Sequence, residues 1–464
     1  MLFSSIPFLY YFIPCVLILY FISPKQLKNT VLLISSLVFY AWDRPKFALL
    51  MIAAIVSGYI FGLLIEKFRE KPLGKVFLVL SVSTSLGMLG FFKYTDFFIS
   101  TFNSVSGLAV PLTGIALPIG ISFYTFQILS YTVDVYRGDV AAQKNPISLA
   151  AYVAMFPQLI AGPIVRYSDI EKQLVNRTHT FDAAAQGIRR FVIGLGKKIL
   201  IANALGELCD VFKASDDKSV LFYWLYAIAF TLHIYFDFSG YSDMAIGMGK
   251  VFGFDFLENF NYPYISKSVT EFWRRWHMSL GSWFRDYVYI PLGGNRVSTF
   301  KKFRNIFVVW MLTGFWHGAA WNFIVWGLYF AVLLVIEKLW LKKYLDKSKA
   351  FSHVYVMFLV IISFVIFNAA DMGEAMRYIG GMFGFGGVPL FSAEWLYYLR
   401  SYAVVIILAI IGATPLPKKI VSKLSEKNEK LVNLAEPIVL VALMIVMTAY
   451  LVDGSFNPFL YFRF

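Results

Sequence analysis

The chain has 464 residues, of which 59% are hydrophobic and 15% charged, and it carries a formal net charge of +14. A soluble globular protein has roughly 45–50% apolar and about 25% charged residues, so composition excludes a soluble enzyme, a disordered chain and a disulfide-stapled secreted domain. With a mean hydropathy of +0.65, the sequence reads as that of a polytopic membrane protein.

The apolar residues are gathered into stretches at 6–23, 47–65, 221–238, 319–336, 354–370 and 437–452, most of them without charge. A span of the hydrocarbon layer needs about 20 mainly apolar residues, so each is read as a membrane helix. The first resembles a secretory signal only in its hydrophobicity. It has no basic region ahead of it, because Lys25 and Lys28 follow the apolar run, and no small-residue cleavage site stands out. It is read as a retained first span.

The loops carry a charge bias that orients the chain. Lys67, Arg69, Lys71 and Lys75 crowd one loop, Arg137 and Lys144 another. Lys338, Lys342, Lys343, Lys347 and Lys349 follow the 319–336 stretch, and Lys418, Lys419, Lys423, Lys427 and Lys430 precede the last one. Residues 95–115 hold no Lys or Arg, and 371–394 hold only Arg377. This threading places the basic loops in the cytoplasm and both termini outside, although Arg44 and Lys46 run against it. It also accounts for the net charge without nucleic acid as a partner.

The middle of the chain is less regular. Across 181–212, Arg189, Arg190, Lys197 and Lys198 alternate with Ile188, Val192, Ile193, Ile199 and Leu200. That pattern predicts an amphipathic helix on the cytoplasmic face, its basic side toward anionic lipid headgroups. Residues 259–305 are too polar for a simple span and too aromatic for a solvent loop. Irregular backbone at membrane depth is tolerated where protein or a water-filled cavity covers it, which marks this stretch as the place for a site. No repeat relates one half of the chain to the other, and Cys15 and Cys209 form neither a metal-ligand spacing nor a disulfide framework.

Chemistry is carried by the histidines. His179 and His353 fall near polar loops, where water is their expected surrounding. His233, His277 and His317 stand in apolar or aromatic context, and ionisable groups within a membrane are functional candidates. His317 lies in an apolar segment broken by Gly314 and Gly318. A neutral imidazole in a low-dielectric setting accepts a proton at neutral pH, as a general base must when a hydroxyl attacks a thioester. The alternative is a histidine hydrogen-bonded between helices as polar glue.

His277 follows Glu271-Phe-Trp-Arg-Arg-Trp276. On a helix Trp273 and His277 share a face, while Arg274, Arg275 and Arg285 supply cations for the phosphates of a nucleotide-like donor. An interfacial helix with snorkelling arginines is the other reading. Seven of the eleven tryptophans fall between Trp273 and Trp326, which favours a site, since an aromatic belt would spread them over all helix ends. His233 and Asp237 are one helical turn apart; a proton relay is one reading, and a self-neutralising structural pair is the favoured one. Tight metal-ligand spacing, a phosphate-binding loop and a nucleophile elbow are all missing from the sequence. A membrane-embedded transferase and a transporter remain open.

Four motifs in order carry a resemblance. They are Phe156-Pro-Gln-Leu-Ile-Ala-Gly-Pro-Ile-Val-Arg166, Tyr235-Phe-Asp-Phe-Ser-Gly-Tyr-Ser-Asp243, Glu271-Phe-Trp-Arg-Arg-Trp-His277 and Gly314-Phe-Trp-His-Gly318. The chain resembles the membrane-bound O-acyltransferase (MBOAT) family. Leu2-Phe-Ser-Ser5, Phe39-Tyr-Ala-Trp42 and the tail Asn457-Pro-Phe-Leu-Tyr-Phe-Arg-Phe464 are similar to its alginate O-acetyltransferase branch, with teichoic acid D-alanyl transferases as near cousins.

The resemblance implies an all-α fold of about ten to twelve transmembrane or re-entrant helices around a through-membrane tunnel. It implies a single domain over 1–464, with the catalytic region at 259–326 and an extracytoplasmic aromatic tail at 453–464. His317 matches the family's catalytic histidine and His277 its second motif histidine, expected to shape or polarise the site. Trp273, Arg274, Arg275, Trp276, Arg285 and Trp316 are expected to line the donor passage. The implied reaction moves an acetyl group from a cytoplasmic thioester, acetyl-CoA, toward an extracytoplasmic polysaccharide in the cell membrane, with no bound cofactor and no metal. The implied partner is an extracytoplasmic SGNH-type acetyltransferase of the AlgJ, AlgX or DltD kind. D-alanyl transfer to teichoic acid, and transport without acyl chemistry, are the alternatives.

Overall fold

The computed structural model describes residues 1–42, 44–160 and 162–454; the expected aromatic tail lies, from residue 455 on, outside the described residues. The fold is all-α, with no strand among the described residues. Seven helices among them are long and apolar enough to cross a membrane: Pro45–Phe68, Pro72–Ser106, Val220–Val251, Trp321–Leu345, Lys349–Asn368, Ala393–Gly412 and Glu429–Val452. The first apolar run forms a shorter helix, Pro7–Ile22. Two spans outrun their apolar cores. Val220–Val251 continues through the Tyr235–Asp243 motif, and Trp321–Leu345 continues into the lysine-rich segment by way of a π-helical turn at Glu337–Leu341.

The chain divides into two compact units, with the boundaries falling inside helices. One comprises Met1–Phe191 and Met244–Leu257; the other comprises Val192–Asp243 and the chain from Glu258 onward. In the first unit, Pro45–Phe68 packs against Pro72–Leu89 and Ile121–Arg137. Gly58 and Gly62 make the approach to Ile121–Arg137 close. A Cβ at Gly58 would lie 2.9 Å from Ile128, and one at Gly62 2.7 Å from the Tyr131 hydroxyl. This is small-residue packing of the kind that holds helices together where lipid removes the hydrophobic drive. His179 is exposed, with Nε2 3.0 Å from the Tyr20 hydroxyl.

In the second unit, Val220–Val251 is the most enclosed span and Ala393–Gly412 and Glu429–Val452 are the least, with 72%, 11% and 6% of their apolar windows buried. The two outer helices keep apolar side chains such as Ile407, Leu408, Val441 and Ile445 exposed, as a lipid-facing surface requires. Thr299–His317 and Trp321–Ile336 form the tightest pair. A Cβ on Gly314 would overlap the Phe323 carbonyl and one on Gly327 the Trp310 carbonyl.

The amphipathic expectation for 181–212 needs one correction. The segment folds as Phe181–Gly196, a π-helical turn Lys197–Ala202 and Asn203–Ala214. Arg189 is exposed, but Lys198 is buried, with Nζ 2.6 Å from the carboxylate of Asp237. Lys197 lies 2.6 Å from Asp243. Both lysines therefore neutralise acids of Val220–Val251 and do not face headgroups. The same contact adds a cation beside the pair expected of His233 and Asp237. The counter-charge of Asp237 is Lys198, while His233 Nδ1 donates to the Ala202 carbonyl at 2.7 Å.

Candidate active site

The site begins with a short helix and what pins it. Ser268 caps Val269–Arg275, its hydroxyl accepting from the Glu271 amide at 2.9 Å. The carboxylate of Glu337, itself buried, accepts from the Val269 amide at 2.6 Å and from the amide and hydroxyl of Thr270 at 3.0 Å each. First-turn amides have no intrahelical partner, and a carboxylate satisfies both their hydrogen bonds and the positive end of the helix dipole. Glu337 thereby ties the Trp273-bearing helix to the Trp321–Leu345 span.

That helix stops earlier than the sequence suggests. Trp276 is extended, and His277 has φ 45° and ψ 52°, in the left-handed region. A second short helix, Met278–Phe284, starts beyond it. The shared helical face expected of Trp273 and His277 does not form, because the chain reverses its twist at His277. Such conformations in non-glycine residues need surrounding structure to hold them.

Asn259 supplies that structure. Its carbonyl accepts from the Met278 amide at 3.0 Å. Its side-chain Oδ1 lies 3.1 Å from His277 Nδ1 and accepts from the Ser279 hydroxyl at 2.9 Å. Its Nδ2 donates to the Ser242 hydroxyl at 3.1 Å. His277 is 1% exposed, and burial pushes its imidazole down to about 3. The ring is neutral across the working pH range.

His317 is the last residue of Thr299–His317, which ends where Gly318 becomes extended. Its ring centroid lies 6.4 Å from that of His277, 5.0 Å from Trp316, 5.1 Å from Trp326 and 5.3 Å from Phe367. It is 4% exposed. Gly318 makes room for this arrangement, since a Cβ there would overlap the Phe323 ring.

A cavity of about 610 Å³ is lined by His277, while His317 is not among its wall residues. Its walls include Thr270, Trp273, Arg274, His277, Arg285, Trp310, Thr313 and Leu334. A chamber of this size, mostly apolar with a few polar groups, is the usual form of a small-molecule site. Of the residues expected to line a donor passage, Trp273, Arg274 and Arg285 are walls of this cavity. Arg275, Trp276 and Trp316 are placed elsewhere. Arg275 is ion-paired with Glu271 at 2.9 Å and donates to the Asn261 carbonyl. Trp276 is buried in an aromatic cluster with Phe260, Phe272 and Phe364. Trp316 lies against both histidines, 6.0 Å from His277 and 5.0 Å from His317.

Arg285 is engaged by its neighbour Asp286 at 2.6 and 3.0 Å, which raises its pKa. Arg274 is exposed and forms no ion pair among the described residues. No cluster of three or more metal-ligating side chains occurs among the described residues. His353 is exposed, away from the pair. Asn259 and Glu337 were not singled out from the sequence. Asn259 opens the irregular stretch, and Glu337 is a lone acid at the end of an apolar run, the one signal each offered.

Comparison with known proteins identifies a family. The model of the membrane-bound O-acyltransferase family matches residues 84–370, which contain both histidines and the whole cavity lining. The chain is 41% identical to the Azotobacter vinelandii protein named "Probable alginate O-acetylase AlgI", over 100% of both chains. It is 47% identical to the protein of the same name from Pseudomonas aeruginosa, over 83% of this chain and 75% of that one. It is 33% identical to a peptidoglycan O-acetyltransferase of Helicobacter pylori, over 84% of this chain and 81% of that one.

Proposed function

The chain belongs to the membrane-bound O-acyltransferase family and is a multi-pass membrane O-acyltransferase, and from that premise we propose that it moves acetyl groups from cytoplasmic acetyl-CoA to an extracytoplasmic polysaccharide. The polymer is proposed from the relatives, which are named for O-acetylation of alginate and of peptidoglycan. In this reading the enzyme sits in the cell membrane with both termini outside, and an extracytoplasmic SGNH-type acetyltransferase completes delivery to the polymer.

The observation that carries the reading is the position of two buried histidines, 6.4 Å apart between ring centroids, one of which, His277, lines an aromatic cavity bearing arginines. The direction is supported by the same span. Leu334 of the cavity wall lies eight residues, about 12 Å of helix, toward the lysine-bearing end from Trp326, against which His317 packs. Lys338, Lys342 and Lys343 follow, the signature of a cytoplasmic end.

The donor enters from that side, its phosphates met by Arg274. His317 takes the proton of the attacking hydroxyl as its oxygen bonds to the thioester carbonyl carbon. The tetrahedral intermediate then collapses, the carbon–sulfur bond breaks, and the thiolate takes the proton back from His317. His277 shapes the inner end of the cavity, and the surrounding tryptophans keep water from the thioester.

The test uses the purified protein in liposomes with acetyl-CoA labelled in the acetyl group, alongside a carrier-protein D-alanyl thioester. Acetyl transfer or hydrolysis with acetyl-CoA alone supports the proposal. Turnover of only the D-alanyl thioester, or of neither donor, overturns it.

A further inference from the structure

The hydrogen bonds around His277 decide which of its nitrogens carries the proton. Oδ1 of Asn259 faces His277 Nδ1, the Ser279 hydroxyl and, at 3.4 Å, the Ser279 amide nitrogen. A hydroxyl can turn to suit either orientation of the asparagine amide. The backbone amide cannot, because it only donates. The atom facing it is therefore the oxygen, and Nδ2 is left to donate to Ser242, as the 3.1 Å contact requires.

An oxygen opposite Nδ1 obliges that nitrogen to hold the ring proton. In a neutral imidazole the other nitrogen is then an acceptor. Nε2 of His277 is buried and has no hydrogen-bond partner. Buried polar atoms are nearly always satisfied, and an exception beside a cavity marks a contact that a ligand completes. The backbone reinforces the arrangement. The Asn259 carbonyl holds the Met278 amide, one residue past the left-handed turn, so the same asparagine fixes both the main chain and the ring.

We propose that Asn259 is a positioning residue that holds His277 as the Nδ1–H tautomer, keeping Nε2 as a hydrogen-bond acceptor for an N–H or O–H group of the bound substrate. The consequence is directional. A ring held this way accepts and does not donate, so it cannot stabilise an oxyanion, and the two histidines have different tasks. The tautomer stands on its own, whereas the role of Nε2 rests on the acyl-transfer reading above.

The test has two arms. With 15N-labelled histidine in the full chain, reconstituted in liposomes without substrate, solid-state NMR reports the protonation of each ring nitrogen, and His277→Gln identifies the His277 signals. The expected spectrum shows a protonated Nδ1 and an unprotonated Nε2. A proton on Nε2 overturns the proposal whether or not the protein transfers acetyl groups, and this arm needs no variant at Asn259.

In the kinetic arm, Asn259→Asp keeps an acceptor opposite Nδ1 and Asn259→Leu removes it. With acetyl-CoA as donor, kcat should fall about tenfold in Asn259→Leu, the size of one lost hydrogen bond, with KM nearly unchanged. Asn259→Asp should restore most of that loss. Equal kcat in the two variants overturns the positioning role. Absence of acetyl transfer in the wild type would overturn the proposed reaction and leave the tautomer to the spectrum.

Discussion

His277 and His317 are forty residues apart in the chain, yet their ring centroids lie 6.4 Å apart with the planes inclined at 61°. Nothing local brings them together. His277 stands at a left-handed turn between two seven-residue helices, and His317 ends a helix of 19 residues. Trp316 packs against both rings. One imidazole is tied by Asn259, while the other is surrounded by aromatic groups, and this difference in setting underlies the division of tasks proposed for them.

The burial of His277 has a consequence for acid stability. Its pKa falls to about 3 in the folded protein, whereas an unfolded histidine titrates near 6.5. Below about pH 6.5 the unfolded chain binds a proton that the folded chain does not. Stability is therefore complete above that pH and is lost on acidification, by up to about 1.4 kcal/mol per pH unit until the folded value is reached. The drop in unfolding temperature between about pH 7 and about pH 5 should be smaller in His277→Gln than in the wild type. Equal drops would contradict the assignment.

Trp273 and Trp276 separate cleanly. Trp273 lines the cavity, so Trp273→Ala should raise the KM for acetyl-CoA more than it lowers kcat. A fall in kcat alone would remove it from donor binding. Trp276 is 3% exposed among other rings, and Trp276→Ala should cost about 3–5 kcal/mol of stability, the usual cost of emptying a buried aromatic position. Thermal unfolding of the two variants, beside their steady-state kinetics, distinguishes these effects.

Glu337 is expected to act at a distance. Glu337→Ala leaves the Val269 and Thr270 amides without their acceptor and should destabilise the protein by about 1–3 kcal/mol. Because the loosened helix carries Trp273 and Arg274, the donor KM should rise as well. Glu337→Gln, which keeps an amide oxygen, should lose less of both. An alanine variant with wild-type unfolding and wild-type KM would show that the helix is held by other contacts.

How much of this was legible in sequence varied with the range of the interaction. Five of the seven long apolar helices among the described residues coincide with apolar runs named from sequence, because such a run has few other fates. Pro72–Ser106 and Ala393–Gly412 do not, and the first run forms a shorter helix, Pro7–Ile22. The histidines and the tryptophan-rich stretch were readable because polar and aromatic residues are conspicuous between such runs. Tertiary choices were not. His233 and Asp237 stand one turn apart and look paired, and no local signal shows that Lys198 also reaches Asp237 from another helix. Likewise the run Glu271–His277 has helical composition, and only the grip of Asn259 on His277, Met278 and Ser279 shows why the helix breaks.

The Lys198–Asp237 contact gives its own prediction. Removing one partner leaves a buried charge uncompensated, so Lys198→Met alone or Asp237→Leu alone should destabilise by about 3–5 kcal/mol. The double variant removes both charges and should recover most of that loss. Denaturation of all three measures it. A double variant no more stable than the singles would mean that each group has a separate essential partner.

His317 is proposed here as the base that activates the acceptor hydroxyl. The most direct measurement is transfer or hydrolysis of labelled acetyl-CoA by the wild type and by His317→Gln in liposomes, at matched folded protein. General-base removal typically costs about 10²–10⁴-fold, so a loss in that range in kcat, with KM for acetyl-CoA little changed, is the predicted result. Equal turnover by the two proteins would contradict it.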